Sequence, residues 1–295
     1  MKILVTGATG FLGSQLVKAL LLDGHTIILL KRSTSDCSRI QDILPDLITY
    51  DTDRGQWEAP FFKQGKIDAI IHTATCYGRN NESNATMVDA NVTFPLKLLD
   101  MAMRIGTPVF LNTDTFSSAP TRLSNHLQPY NLTKRQFREW GKCLADTSSL
   151  QFINVRLEHV YGPYDNTNKF VPSVIKSCLE NQPELRLTEG KQARDFIYVE
   201  DVVSAYRVLL AHAARLPAGF TEYQVGTGTA TSIREFVELV HQMTHSRTVL
   251  KFGSITYSDR EIMHSQADTR SLQALGWKHR VKLEDGLRKV MATFK

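Results

Sequence analysis

The chain has 295 residues, 42% of them hydrophobic, enough for one large core or two packed cores. Its net charge of +5 comes from Lys and Arg scattered along the chain, with no aromatic-interleaved basic run, which argues against nucleic acid and suits a small anionic substrate. No apolar stretch approaches the roughly 18 residues of a membrane-spanning helix, the first strand starts at once and leaves no room for a leader, and Cys37, Cys76, Cys143 and Cys178 are too widely spaced for a zinc or disulfide framework, so a cytoplasmic protein without metal is expected.

Lys2 to Thr6 reads as a short buried strand, followed by the glycine-punctuated turn Gly7-Ala8-Thr9-Gly10-Phe11-Leu12-Gly13 and an apolar-faced helix to about Asp23. Strands follow at Thr26 to Leu30, Leu47 to Tyr50 and Ala69 to His72. A single helix from about Asn84 to Arg104 leads to the strand Val109 to Thr113, a helix from Tyr130 to Asp146 and the strand Phe152 to Arg156. After about Tyr161 the pattern loosens into short helices and strands, with no repeat or flexible linker. The alternation predicts an α/β fold with a doubly wound parallel sheet over residues 1–160 and a return segment near 196–215. Residues 161–195 and 216–295 would form a smaller, interleaved substrate lobe. Ligands of such sheets bind beyond the carboxyl ends of the strands, where Asp51, His72, Thr73 and Thr113 lie.

In the first turn, Gly7 permits the tight bend, Gly10 lets backbone approach a pyrophosphate, and Gly13 lets the helix sit close on the sheet with its N-terminus toward the anion. The end of the second strand lies beside the adenosine ribose of a dinucleotide, where a carboxylate would bind the 2′-hydroxyl. Here stand Lys31, Arg32, Ser33 and Thr34, which suit a 2′-phosphate and predict NADP(H) over NAD(H). Tyr130 and Lys134 are four residues apart on one helix face, so the ammonium is expected to favour the phenolate and bring the phenol pKa toward neutrality.

Together these segments resemble the extended short-chain dehydrogenase/reductase family, a Rossmann-fold family, in its nucleotide-sugar branch. The resemblance spans the whole chain. It rests on Thr6 to Gly13, Ile71-His72-Thr73-Ala74, Tyr130 with Lys134, Val160-Tyr161-Gly162-Pro163, Arg194-Asp195-Phe196 and Arg260-Glu261. It implies that Tyr130 is the acid/base, that Lys134 binds the nicotinamide ribose, and that Thr113 holds the reacting sugar oxygen. It also places Thr9, Phe11, Leu12, Asp51, His72, Thr73, Ala74 and the supporting Asn91 around the cofactor. On the substrate side it places Tyr77, Asp114 and Thr115, with Arg194 and Arg260 for the diphosphate, whereas His159 departs from the family's usual asparagine and is read as a substrate contact on its own account, and Lys169 with Phe170 as lining of the nucleotide pocket. Members are often dimers through a four-helix contact, which here would use the Asn84 to Arg104 and Tyr130 to Asp146 helices.

The branch's 4,6-dehydratases carry Thr-Asp-Glu where this chain has Thr113-Asp114-Thr115, and a threonine hydroxyl cannot remove a carbon-bound proton as the glutamate does. Dehydration is therefore disfavoured, leaving a carbon-4 reductase or a 4-epimerase. The NADP reading points to the reductase. The segments Leu111 to Phe116, Arg156 to Pro163 and Thr221 to Gly228 resemble the branch's 4-ketoreductases of CDP-linked 3,6-dideoxy sugars of bacterial O-antigen, whereas Cys76 to Ser83 and Asn181-Gln182-Pro183 resemble the enzyme forming the opposite carbon-4 epimer. A dTDP-linked 4-keto-6-deoxy substrate, an NAD-dependent epimerase and a non-catalytic NADP-binding sensor are the alternatives.

Overall fold

The computed structural model describes residues 1–118, 128–213 and 215–294. In chain order the first half contains β1 (Lys2–Thr6), α1 (Phe11–Leu22), β2 (Thr26–Lys31), β3 (Ile48–Asp51), α2 (Ala59–Lys63) and β4 (Ala69–His72). It continues with α3 (Asn84–Val88), a π-helical turn (Asp89–Thr93), α4 (Phe94–Ile105), β5 (Val109–Thr115), α5 (Gln128–Ala145) and β6 (Gln151–Leu157). The second half adds β7 (His159–Tyr161), α6 (Phe170–Leu179), β8 (Glu184–Arg186), β9 (Ala193–Arg194), β10 (Phe196–Tyr198) and α7 (Val199–Ala213). Last come β11 (Gly219–Val225), β12 (Thr231–Ser232), α8 (Ile233–Met243), β13 (Val249–Lys251), α9 (Arg270–Gln273) and α10 (Leu283–Met291).

Seven strands form the main sheet in the order β11-β6-β5-β4-β1-β2-β3. The pairs β1 with β2, β2 with β3, β1 with β4 and β4 with β5 are parallel. Because Ile3, Leu4, Val5, Ile27, Ile28, Leu29, Ile70 and Ile71 form near-continuous apolar runs, these strands are buried on both faces, as a sheet covered by helices on both sides requires. The strand order reverses between β1 and β4, which puts the switch point where the glycine turn leaves β1. Four strands end differently from the sequence reading, β3 and β6 by a single residue at each end. β2 runs on to Lys31, and β5 runs on through Thr115, because Thr113 to Thr115 keep extended pairing beyond the apolar stretch.

The described residues divide into two compact units: 1–118, 128–156 and 203–223 in one, 157–202 and 224–294 in the other. The first has a core of Leu4, Ile28, Leu98, Phe110, Phe137 and Phe152, in which Phe110 stacks on Phe152 at 5.5 Å and Phe137 meets both edge-on. The second is built around Tyr161, Phe196, Tyr198, Phe236 and Leu287, with Phe196 stacked on Phe236 at 4.4 Å. Among the described residues no helix is long and apolar enough to cross a membrane.

α5 lies so close to the sheet that a Cβ at Gly141 would enter the Phe152 ring. Gly141→Ala is therefore expected to cost about 1–3 kcal/mol of stability by overpacking. A denaturant titration reads this as a lower midpoint at constant m value. An unchanged midpoint would mean that the ring yields freely.

Candidate active site

The turn after β1 is built by contact between backbones. Gly7 adopts φ +76°, and a Cβ there would lie 2.5 Å from the Ala74 nitrogen, so the chain leaving β4 passes directly over it. A Cβ at Gly13 would likewise collide with the Gly7 carbonyl. Gly10 caps α1 from the exposed side, where a Cβ would have only the Gly7 oxygen near it. Thr9, Phe11 and Leu12 are partly exposed around it, and the first turn of α1 carries no carboxylate. A helix N-terminus with an open backbone approach and no anion of its own fits a dinucleotide pyrophosphate.

β2 and β3 are in register with Lys31 opposite Asp51, and the two side chains form an ion pair at 2.6 Å. Ser33 is also engaged, its N–H and hydroxyl both donating to Asp53, which holds that carboxyl below its usual range. The group of Lys31, Arg32 and Ser33 is thus less cationic than the sequence suggests, and Arg32 is its exposed member.

The imidazole of His72 points away from the strand end. It is 1% exposed, hydrogen-bonded through Nδ1 to Thr6 Oγ1 at 2.8 Å and packed on Phe110 and Phe137. Burial first, and the Lys134 charge second, hold it well below its usual pKa and neutral. The ring of His72 therefore joins β4 to β1 in the interior. Thr73 and Ala74 complete this junction, Thr73 donating to the Thr6 carbonyl and the Ala74 N–H to Thr6 Oγ1.

Tyr130 and Lys134 stand one turn apart on α5, 6% and 3% exposed. The Tyr77 ring lies over Tyr130 with centroids 4.9 Å apart, and the Arg79 guanidinium lies over Tyr77 at 5.1 Å. The phenol is pushed well above its usual pKa, chiefly by burial and further by Tyr77 and Asp114, while a Thr75 hydrogen bond and Arg79 pull it down. This overturns the expectation that Lys134 brings the phenol toward neutrality: desolvation of the phenolate dominates, and the phenol is held in its protonated form. Lys134 is lowered by burial, with Asp114 opposing.

Thr113 Oγ1 is 2.6 Å from the hydroxyl of Tyr206 on α7. Asp114 is buried and accepts hydrogen bonds from the Thr115 N–H, Ser118 Oγ and Asn154 Nδ2. Asn154 also donates to Glu222 and accepts from Asn112. Thr115 pairs with Ser117, which donates to Asn131 on α5. Sequence reasoning missed Tyr206, Asn154 and Asn131. Asn112 and Asn154, polar residues inside apolar strands, were the available signal for this network.

In the second unit, Arg194 pairs with Glu261 at 2.6 Å. The neighbouring Asp195 accepts from Thr227, Gly228 and Ala267, and Asp201 from the N–H groups of Arg280 and Val281. Arg260 is exposed with φ +64°. Lys169 pairs with Asp165 at 2.8 Å, and Phe170 packs on Phe236. His159 lies against Phe196, and burial lowers its pKa.

Asn91, in the π turn, accepts from the Cys76 N–H and Thr75 Oγ1 and donates to the Cys76 carbonyl and Thr133 Oγ1. Thr133 in turn donates to the Tyr130 carbonyl, so Asn91 ties the loop after β4 to the helical turn carrying the phenol. Asn91→Leu strips these partners, at roughly 1–3 kcal/mol for each buried group left unpaired. A lower unfolding midpoint and faster amide exchange at Cys76 are the expected results.

The NAD dependent epimerase/dehydratase family matches residues 3–226. CDP-abequose synthase of Salmonella typhimurium is 36% identical, over 98% of this chain and 97% of its own length. UDP-glucose 4-epimerase of Thermotoga maritima, solved with UDP-glucose, superposes with a TM-score of 0.85 at 21% identity, over 100% of this chain and 98% of that one. MoeE5, solved with UDP-glucose and NAD, gives 0.82 at 25% identity, over 100% and 98%. With the switch-point turn, the Tyr130–Lys134 helix and Thr113 in place on a Rossmann sheet, this chain belongs to the NAD dependent epimerase/dehydratase family.

Proposed function

We propose that the protein is an NADPH-dependent 4-ketoreductase of the CDP-abequose synthase type, which reduces the carbon-4 ketone of a CDP-linked 4-keto-3,6-dideoxyhexose. The observation that carries this reading is the end-to-end similarity to CDP-abequose synthase. Thr115 in place of a second carboxyl disfavours dehydration.

The turn Gly7 to Gly13, with Thr9, Phe11 and Leu12, would hold the pyrophosphate, and Arg32 with Lys31 and Ser33 the 2′-phosphate. Lys134 would meet the nicotinamide ribose, with Thr73 and Ala74 as the wall beside it. When bound, NADPH supplies the hydride. Tyr130 gives its proton to the carbon-4 oxygen, and Thr113 donates a hydrogen bond to the same atom as charge develops on it. Lys134 stabilises that charge, and Asp114, which accepts three hydrogen bonds, helps to keep Lys134 charged. Tyr77, stacked on Tyr130, would shield the reacting oxygen from water. The second unit is proposed as the substrate lobe, with Arg260 and Arg194 for the diphosphate and Lys169, Phe170 and His159 toward the nucleotide and sugar. We further propose that the enzyme is cytoplasmic and that it is a homodimer, the latter because the apolar residues Val88 on α3 and Leu132 and Trp140 on α5 are 40–46% exposed.

A second reading, an NAD-dependent 4-epimerase, is favoured by one observation: Asp51 draws Lys31 away from a 2′-phosphate, leaving a carboxylate near a ribose. MoeE5 was solved with NAD. The two readings separate on two incubations, one of NADPH or NADH with CDP- or dTDP-linked 4-keto sugars and one of the corresponding 4-hydroxy sugar nucleotides with NAD, each followed at 340 nm with NMR of the product. Net oxidation of NADPH supports the reductase, whereas interconversion of epimers without cofactor consumption supports the epimerase.

Tyr130→Phe is expected to leave NADPH binding nearly intact and cut turnover by about 10²-fold or more. Near wild-type turnover would remove Tyr130 from its role. Arg32→Ala is expected to raise KM for NADPH by about tenfold or more, the loss of one charge-assisted phosphate contact, with little change for NADH. Equal effects on both cofactors would point to NAD(H).

A further inference from the structure

Tyr206 is a fully buried side chain on α7, 93 residues from Thr113 in sequence, with its hydroxyl 2.6 Å from Thr113 Oγ1. Nothing local marks it, since a tyrosine among Val, Ala and Leu on a helix reads as core. Its chemistry lies in the direction of that hydrogen bond.

Each hydroxyl has one proton and can also accept, so two arrangements are available. If Thr113 donates, the phenolic proton of Tyr206 has no acceptor among the described residues, a state that buried donors rarely occupy. In addition, Thr113 would then present only a lone pair to whatever lies beyond it. If Tyr206 donates, both protons are used: the phenolic one on Thr113 and the threonine proton on a group outside the pair. Burial, with the Asp114 charge acting in the same direction, keeps Tyr206 a neutral phenol and so preserves its capacity to donate.

We propose that Tyr206 is a positioning residue that donates its O–H to Thr113 and thereby fixes the Thr113 hydroxyl as a donor toward the substrate oxygen. This rests on the reading of Thr113 as the group that holds the reacting oxygen. The arrangement selects a ligand atom that accepts and does not donate, which a ketone or a developing alkoxide is and a sugar hydroxyl acting as donor is not. Aligned hydroxyls also polarise one another, so the Thr113 donor is strengthened most when negative charge grows on its acceptor. Tyr206 would therefore act on turnover and hardly at all on binding.

Tyr206→Phe removes only the oxygen. In the NADPH assay with the CDP-linked 4-keto sugar, kcat is expected to fall about tenfold with KM changed less than about twofold. Added to Thr113→Val, Tyr206→Phe is expected to change nothing further, because the group it acts through is gone. Added to Thr113→Ser, which keeps the hydroxyl, it is expected to cost about tenfold again. Unchanged kcat in the single variant, an equal loss in the Thr113→Val background, or a fall in thermal midpoint that accounts for the lost activity would each overturn the proposal. Wild-type turnover by Thr113→Val itself, or an inactive parent enzyme, would instead overturn the reading on which it rests, and the proposal with it.

Discussion

The meeting of three backbone segments at the end of β1 is the constraint on which the rest depends. Gly7 faces the chain leaving β4 at Ala74, and Gly13 faces the Gly7 carbonyl, so β1, α1 and β4 come together closer than any side chain would permit. Thr6 fastens the meeting from below, its carbonyl accepting from the Thr73 N–H and hydroxyl and its own hydroxyl paired with His72. The position of α1 on the sheet, and with it the anion-binding end of that helix, follows from these contacts. The chain then turns from Ala74 toward Thr75 and Cys76, which Asn91 secures to α5. The glycine turn after β1 and the helix α5 are thus parts of one hydrogen-bonded assembly within the first unit.

Charge is handled differently at the two ends of this assembly. Around α5 the ionisable groups are buried, and burial decides their states: the phenol stays protonated, His72 stays neutral, and Asp114 partly sustains the charge on Lys134. At the rim of β2 and β3 two carboxylates are engaged, Asp51 by the ammonium of Lys31 and Asp53 by the N–H and hydroxyl of Ser33. Opposite charges therefore offset one another at that rim, whereas at Tyr130, Lys134 and His72 burial is the largest influence.

The fold was legible because its signals are local. Apolar runs with glycine punctuation specify strands and turns within a few residues of themselves, and the alternation of strand and helix leaves few topologies to consider. The site was legible to the extent that it is periodic: Tyr130 and Lys134 share a face because of the helical repeat, and strand-end residues such as Thr113 follow from the sheet. What could not be read were partners set by tertiary register. Lys31 meets Asp51 because β2 and β3 pair in register, and His72 turns inward because it lies opposite Thr6. Arg194 finds Glu261 across 67 residues, and Thr113 finds Tyr206 across 93. The phenol's protonation was misread for a related reason, since spacing gives the neighbour in sequence but not the extent of burial.

The π-helical turn at Asp89–Thr93 leaves a different kind of mark on the protein. It interrupts what the sequence presents as a continuous helix, and it accommodates one residue more than regular winding would. Each residue of an α-helix turns the following ones by about 100°. Within an α-helix one added residue would rotate Leu98, Leu99 and Ala102 off the core they fill, but the wide turn absorbs that rotation locally. Loss of a single residue within the turn would restore regular winding and leave the buried face of α4 where it is. What the deletion would disturb is the turn itself, from which Asn91 reaches both Cys76 and Thr133.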